Sequence, residues 1–398
     1  MTVAGYFDYN ATTPLHPAAR AAWLEAEDKF WQNPSGLFHG AGAAKRRLED
    51  CREELADFLD CGAEEIVFLS GATEANNALV AHAAAAGVER LALSGLEHPC
   101  LQEPAAAIFK DRLCTILVAA DGRVDLGSLE EALRGENKPA LVALMAANNE
   151  TGVLQPWREA RELCRKYGAL FHCDAAQWLG KEPALGLGDC DFLTGSAHKF
   201  GGPKGVGFLK LPAMGRPLRW LRGGPQEEQR RAGTENVAGV AAMLAALKSC
   251  EAWLKSGIDD PAAASGMAGA LSARRAFESE IQARVPGVGI VAADSPRLWN
   301  SVLLTVPPSG PANVKWLTRL SAKGFAVSTG SACSRGAGAS EVLEAMGLGT
   351  THAGRVLRVS GGWETTEQDW RGLAEAIADV AADFKNPAPC PAGRGFPT

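Results

Sequence analysis

An α/β fold with a mostly parallel central sheet, joined to a smaller α+β unit, is what this 398-residue chain predicts. Three observations carry that expectation. Short apolar runs alternate with helix-length segments from about residue 64 to residue 211, the pattern of repeated strand–helix units. The apolar runs do not alternate with polar residues, so their strands are covered on both faces. The length also exceeds what one hydrophobic core usually serves, which implies a large domain and a smaller one. The expected boundaries are 15–245 for the large domain, with 1–14 and 246–398 in the small one, including a loop at about 328–340.

The predicted strands are EIVFL (65–69), LALSG (91–95), CTILVA (114–119), ALVALMAA (140–147), ALFHCD (169–174), DFLTGS (191–196) and GVGFLKL (205–211). Among the helices between them, PWREARELCRKYG ends in a basic turn and a glycine, a good C-terminal signature. After Asn236 the spacing predicts a long apolar helix suited to linking two domains, and residues 259–271 read as a loop or a weak helix. NSVLLTV and VLRVS supply strands to the small domain, and the tail NPAPCPAGRGFPT is rich in Pro and Gly.

Composition excludes several functional classes. With 46% hydrophobic and 22% charged residues, the chain is ordinary for a globular protein. A net charge of −6 and the lack of a basic run give no footprint for nucleic acid. No apolar run approaches the ~18 residues that a membrane helix requires, and the opening MTVAGYFDYN lacks the pattern of a secretory signal. The ten cysteines contain no C-x-x-C pair, which argues against a zinc or thioredoxin-like site. Nine of them are expected to be reduced thiols of a cytoplasmic protein. The tenth, Cys333, stands apart in STGSACSRGAG, among small and polar residues.

Ligands of open parallel sheets collect at the carboxyl ends of the strands, so the residues after each apolar run carry the chemistry. SGATEANN follows the first run and places Ala72 and Thr73 at a helix start, where backbone N–H groups and the helix dipole suit a phosphate. An ordinary helix cap would look the same. His98 follows the second run, Asn149 the fourth, and Asp174 and Gln177 the fifth. A buried strand-end acid is costly unless paired. Ser196, His198 and Lys199 follow the sixth run and precede four glycines in seven residues. A lysine in dry surroundings can act as a Schiff-base amine. Phosphate cradle, acid, ring and lysine together are the parts that pyridoxal phosphate requires.

These residues resemble the class V aminotransferase-like cysteine desulfurases, in particular the housekeeping bacterial type. Nine motifs in order carry the resemblance, from YFDYNATTPLHP through SGATEANN, EHP, NNETGVLQP, HCDAAQ, SAHKFGGPKGVG and RAGTENVAG to STGSACSRG and LRVSGGWETTEQ. It implies the type I fold of pyridoxal-phosphate enzymes, like that of aspartate aminotransferase, and a homodimer. Lys199 then matches the Schiff-base lysine, Asp174 the partner of the pyridine nitrogen, Gln177 that of the phenolic oxygen, and His98 the residue stacked on the ring. Ala72, Thr73, Ser196 and His198 match the phosphate site, with Thr234 reaching in from a second subunit. Asn149 and Arg358 match the groups that hold the substrate carboxylate, and a guanidinium fork suits that task.

Cys333 matches the persulfide-forming nucleophile, which takes the sulfur of L-cysteine, leaves alanine, and passes sulfur to a scaffold or carrier protein. Gly330, Gly336 and Gly338 would let its loop swing, Arg335 would favour the thiolate, and His98 would shuttle the thiol proton. Three features depart from the pattern: the glycine-rich stretch after Cys333, Trp363 where a basic residue is expected, and a tail without the segment that docks an iron–sulfur scaffold. The rival expectations are a selenocysteine or cystine lyase, a transaminase, and a weakly active sulfur-relay component. No G-x-G-x-x-G follows the early strands, which sets a nicotinamide dehydrogenase aside.

Overall fold

A computed structural model describes residues 5–212, 218–256, 266–330, 340–349, 352 and 354–385. Its first helix, α1 (Pro17–Lys29), starts where the His16 ring accepts the Ala18 N–H at 3.1 Å and proline fills the first turn. Helix α2 (His39–Leu59) follows and stops at Asp60, whose φ of 60° ends the helical run. Then come β1 (Ile66–Leu69), α3 (Ala72–Ala85), β2 (Leu91–Ser94), α4 (Pro99–Phe109), β3 (Leu113–Ile116), α5 (Leu126–Arg134), β4 (Leu141–Met145), α6 (Trp157–Tyr167), β5 (Leu170–Asp174), β6 (Phe192–Ser196) and β7 (Gly207–Lys210).

These seven strands form one sheet in the order β1-β7-β6-β5-β4-β2-β3. All neighbours are parallel except β6–β7 and β7–β1. The reversal has a simple cause: the connection from Ser196 to Gly207 is too short for a crossover, so β7 returns antiparallel. Both faces are covered. Ile66 and Phe68 face one apolar cluster with α2, α6 and the helix after residue 236, whereas Val67 and Leu69 face another with α3 and α4. The continuous apolar runs of the sequence are the consequence.

Helix α7 (Val237–Lys255) has a mean hydropathy of 1.4 and is long and apolar enough, by composition, to cross a membrane. In this fold 67% of that stretch is buried, and its main-core packing extends to Cys250. The expected domain boundary at 245 therefore lies inside one continuous helix. Beyond it lie α8 (Gly266–Arg284), β8 (Gly289–Ile290), β9 (Ser301–Thr305), α9 (Asn313–Ala322), α10 (Glu341–Ala345), β10 (Val356–Ser360) and α11 (Glu367–Lys385). Helix α8 takes up the second half of the stretch read as loop or weak helix.

Strands β10, β9 and β8 make a second, antiparallel sheet. The start of the chain joins it, through bridges from Tyr6 to Ala326 and from Asp8 to Ser360. Phe7 packs edge-on against Trp370 at 4.9 Å in a separate apolar cluster with Phe277, Trp316 and Leu357. Residues 9–13 then leave this unit and reach the segment after β6, where the Thr13 N–H donates to the His198 carbonyl at 2.9 Å. Cys333, Arg335, Gly336, Gly338 and the tail from residue 386 lie outside the described residues.

Candidate active site

A cavity of about 1140 Å³ opens at the carboxyl ends of β1, β2, β4, β5 and β6. The topology of a mostly parallel sheet directs a ligand there. Ala72, Thr73, His98, Asn149, Asp174, Gln177, Ser196, His198, Lys199 and Arg358 all line it. Thr234 does not. It is exposed, and it borders a neighbouring cavity of about 110 Å³ that also touches Ser70 and Gly205.

Asp174, the last residue of β5, is 5% exposed, yet it has partners. Asn76 Nδ2 donates to its Oδ2 at 2.8 Å, and the Ala176 N–H to its Oδ1 at 2.9 Å. Asn76 is itself oriented by Thr194, whose hydroxyl donates to Asn76 Oδ1 at 2.9 Å and meets His172 Nε2 at 3.0 Å. Burial pushes His172 down to about 4, so the ring behind the aspartate is neutral.

His98 caps α4: its Nδ1 accepts the Cys100 N–H at 3.2 Å, which leaves the ring proton of the neutral form on Nε2. Burial holds this imidazole below its ordinary 6.5; Asp174 pulls it up and Lys199 pushes it down further. Its sequence neighbour Glu97 is also buried. Burial raises that carboxyl to about 8 despite the Met145 N–H that it accepts, and Asp174 adds to the rise.

The phosphate end can be judged from the donors present. Helix α3 begins at the cavity without a side-chain cap, so its first-turn N–H groups need an acceptor. Close backbone packing shapes this corner: a Cβ on Gly207 would lie 2.6 Å from the Gly71 Cα, and one on Gly71, at φ 148°, would meet Ser196 Oγ at 3.3 Å. Thr73, Ser196 and His198 surround the helix start. His198 is held at about 4 by burial and by Lys199, Lys204 and Lys181. With Asp174 at the far end and Lys199 between, this donor set fits a phosphate-bearing pyridine aldehyde.

Lys199 donates to the carbonyl oxygens of Asn10 and Ala11 at 2.7 and 2.8 Å. Arg358 is 3% exposed; its Nη2 pairs with Asp8 Oδ1 at 2.8 Å and its Nη1 donates to the Asn149 carbonyl at 3.1 Å. Its Nε is buried and has no partner among the described residues. The guanidinium is thus pinned by Asp8 while part of its fork is unsatisfied. Gly330 on one flank of residues 331–339, and Glu341 and Val342 on the other, also border the cavity.

Sequence reasoning missed Asp8, Asn10, Asn76 and Lys181. Asn10 is the junction of the site: it accepts from Lys199 and Gln177 through its main-chain oxygen and donates from Nδ2 to Ser301 Oγ at 2.8 Å. The available signal was polarity out of place, because Asn76 sits on the buried face of a helix that is otherwise mostly alanine and leucine. Nothing local marked Asn10, whose partners are up to 350 residues away.

Comparison with known proteins places the chain in one family. The aminotransferase class-V family profile matches residues 5–371. A cysteine desulfurase of Klebsiella pneumoniae is 38% identical over 376 residues, covering 92% of this chain and 89% of that one. A cysteine desulfurase of Enterobacter agglomerans is 34% identical, covering 96% and 94%. The crystal structure of a NifS-like protein from Rickettsia africae superposes with a TM-score of 0.82 at 29% identity, covering 95% of this chain and 99% of the other.

Proposed function

Since the chain belongs to the aminotransferase class-V family, we propose that it is a cysteine desulfurase dependent on pyridoxal phosphate, which converts L-cysteine to L-alanine and carries the sulfur away as a persulfide on Cys333. The observation that carries this reading is the convergence of Lys199, Asp174, His98 and the uncapped start of α3 on one cavity. A binding module has no use for all four.

When bound, the cofactor supplies an aldehyde for Lys199 and a ring that accepts negative charge from the substrate α-carbon. The chain's residues do the rest. Asp174, fixed by Asn76 and the Ala176 N–H, holds the proton on the ring nitrogen. Gln177 donates to the phenolic oxygen. The first turn of α3, Thr73, Ser196 and His198 hold the phosphate, and His98 covers the ring. Arg358, with Asn149, takes the substrate carboxylate. The Cys333 thiolate would form an S–S bond to the substrate sulfur as the substrate's Cβ–S bond breaks, the bond pair remaining on Cβ, which takes up a proton to become the methyl group of alanine.

In this reading the enzyme is a homodimer, and Thr234, exposed beside its own cavity, completes the phosphate site of the other copy. The persulfide passes to an acceptor protein in iron–sulfur cluster assembly or in thiolation of tRNA or cofactors. A reducing cytoplasm suits the eight described cysteines, all unpaired.

The test compares wild type, Lys199→Ala and Cys333→Ala after adding pyridoxal phosphate, reading visible spectra and the alanine and sulfide released from L-cysteine with a reductant. Wild type should show the visible band and release both products. Cys333→Ala should keep the band and lose the products, and Lys199→Ala should lose both. Full activity in Cys333→Ala would make a direct lyase the better account. A wild type without the band would sink the cofactor assignment.

A further inference from the structure

Lys181 is a lysine that the fold has buried without an acid among the described residues that it bonds. It ends the turn after β5, where position 180 requires glycine: its φ is 74°, and a Cβ there would lie 2.3 Å from the Phe200 Cβ. Its main chain is held at both ends: its N–H donates to the Trp178 carbonyl at 2.9 Å, and its carbonyl accepts from Trp299 Nε1 at 2.9 Å. The side chain points inward, and the residue is 4% exposed. Among the described residues its Nζ donates to two oxygens, Gln177 Oε1 and Asn10 Oδ1, the second at 3.2 Å, and neither is a carboxylate. Burial, then Lys199 and Arg358, push the ammonium well below the ordinary lysine range, with only Cys250 opposing. Such a group is costly to keep, so what it does to its partners matters.

Its effect falls on Gln177. An amide side chain has an oxygen that accepts and a nitrogen that donates, and their order must follow from the neighbours. At the inner end, Nζ has hydrogens to donate to the oxygen in both its charged and its neutral form. At the other, Gln177 Nε2 donates to the Asn10 carbonyl at 2.8 Å, and a carbonyl has no hydrogen to give. Flipping the amide would set oxygen against oxygen at the Asn10 end and lose the bond that the amide oxygen accepts from Nζ at the other. In the observed orientation one of the two Nε2 hydrogens is used by Asn10, and the second remains for the cavity that Gln177 lines.

We propose that Lys181 is a positioning residue of the cofactor site: by holding the Gln177 amide oxygen inward, it makes Gln177 solely a hydrogen-bond donor toward the phenolic oxygen of the cofactor. This rests on the reading of the cavity as a pyridoxal-phosphate site. It gives Lys181 a function without contact to the cofactor, and it makes the Lys181–Gln177–Asn10 ring one unit.

The experiment is a double-mutant cycle on apo protein: wild type, Lys181→Met, Gln177→Ala and the double variant, each titrated with pyridoxal phosphate and read by visible absorbance and quenching of intrinsic fluorescence. Melting of each apo protein verifies folding, and Lys181→Gln replaces Lys181→Met in the cycle if the latter does not fold. The proposal expects Lys181→Met to bind about tenfold more weakly, with its visible band displaced as in Gln177→Ala. The double variant should bind no more weakly than Gln177→Ala alone, since the lysine acts through the glutamine. Penalties that multiply, or wild-type binding by Lys181→Met, would overturn the role of Lys181 and leave the cofactor reading intact. Failure of wild type to bind pyridoxal phosphate would overturn both.

Discussion

His98 illustrates how far one side chain's chemistry is set by its immediate setting. As the cap of α4 it has one nitrogen committed to the Cys100 N–H, and burial keeps the ring neutral to below its usual 6.5. If turnover requires the neutral ring, the acid limb of kcat/KM is centred below pH 6.5. A pH profile of wild type against His98→Gln checks this: the variant should lose about 100-fold in rate and lack that acid limb. A wild-type limb centred above 6.5 would mean that the ring is more hydrated, or nearer an acid, than its burial implies.

At the scale of elements, the site depends on how closely β7 passes the start of α3. Gly71 and Gly207 face each other there, and a Cβ on Gly207 would also lie 2.6 Å from the Gly195 carbonyl oxygen. Both obstacles are backbone, so they cannot yield as a flexible side chain would. Gly207→Ala should therefore cost about 1–3 kcal/mol of stability. It should weaken binding of pyridoxal phosphate as well, by displacing the first turn of α3. A lowered Tm with unchanged cofactor affinity would separate the strand crossing from the phosphate corner. The strand itself was legible in the sequence as GVGFLKL, but its direction followed only from the shortness of its connection to β6.

For the molecule as a whole, a buried acid next to the cavity makes stability depend on pH. Glu97 titrates at about 8 when folded, against an ordinary 4.5. Between those values the native state holds a proton that the unfolded chain has released, so stability falls as pH rises through that window. Glu97→Gln keeps an oxygen for the Ser94 hydroxyl and the Met145 N–H and cannot ionise. Its Tm advantage over wild type should grow from pH 5 to pH 8 and then level off, as scanning calorimetry across that range would reveal. An advantage independent of pH would mean that Glu97 is already ionised in the native protein.

The sequence by itself determined the strands, the two covered faces and the strand ends to examine, because continuous apolar runs and helix-start signals are local properties of the chain. Motif order determined the family, and ten of the residues singled out for the site share one cavity. Only tertiary structure decided which polar groups support them. Asn10 reaches Lys199 and Gln177 because residues 10–12 pass from the small sheet to the cavity at the carboxyl ends of the large one, and the bridge from Asp8 to Ser360 anchors the start of that path. Asp8 holds Arg358 from 350 positions away, and Lys181 acts on Gln177 only because the turn at Gly180 folds it inward. Such contacts join residues distant in sequence through packing, and no local pattern of residue types encodes them.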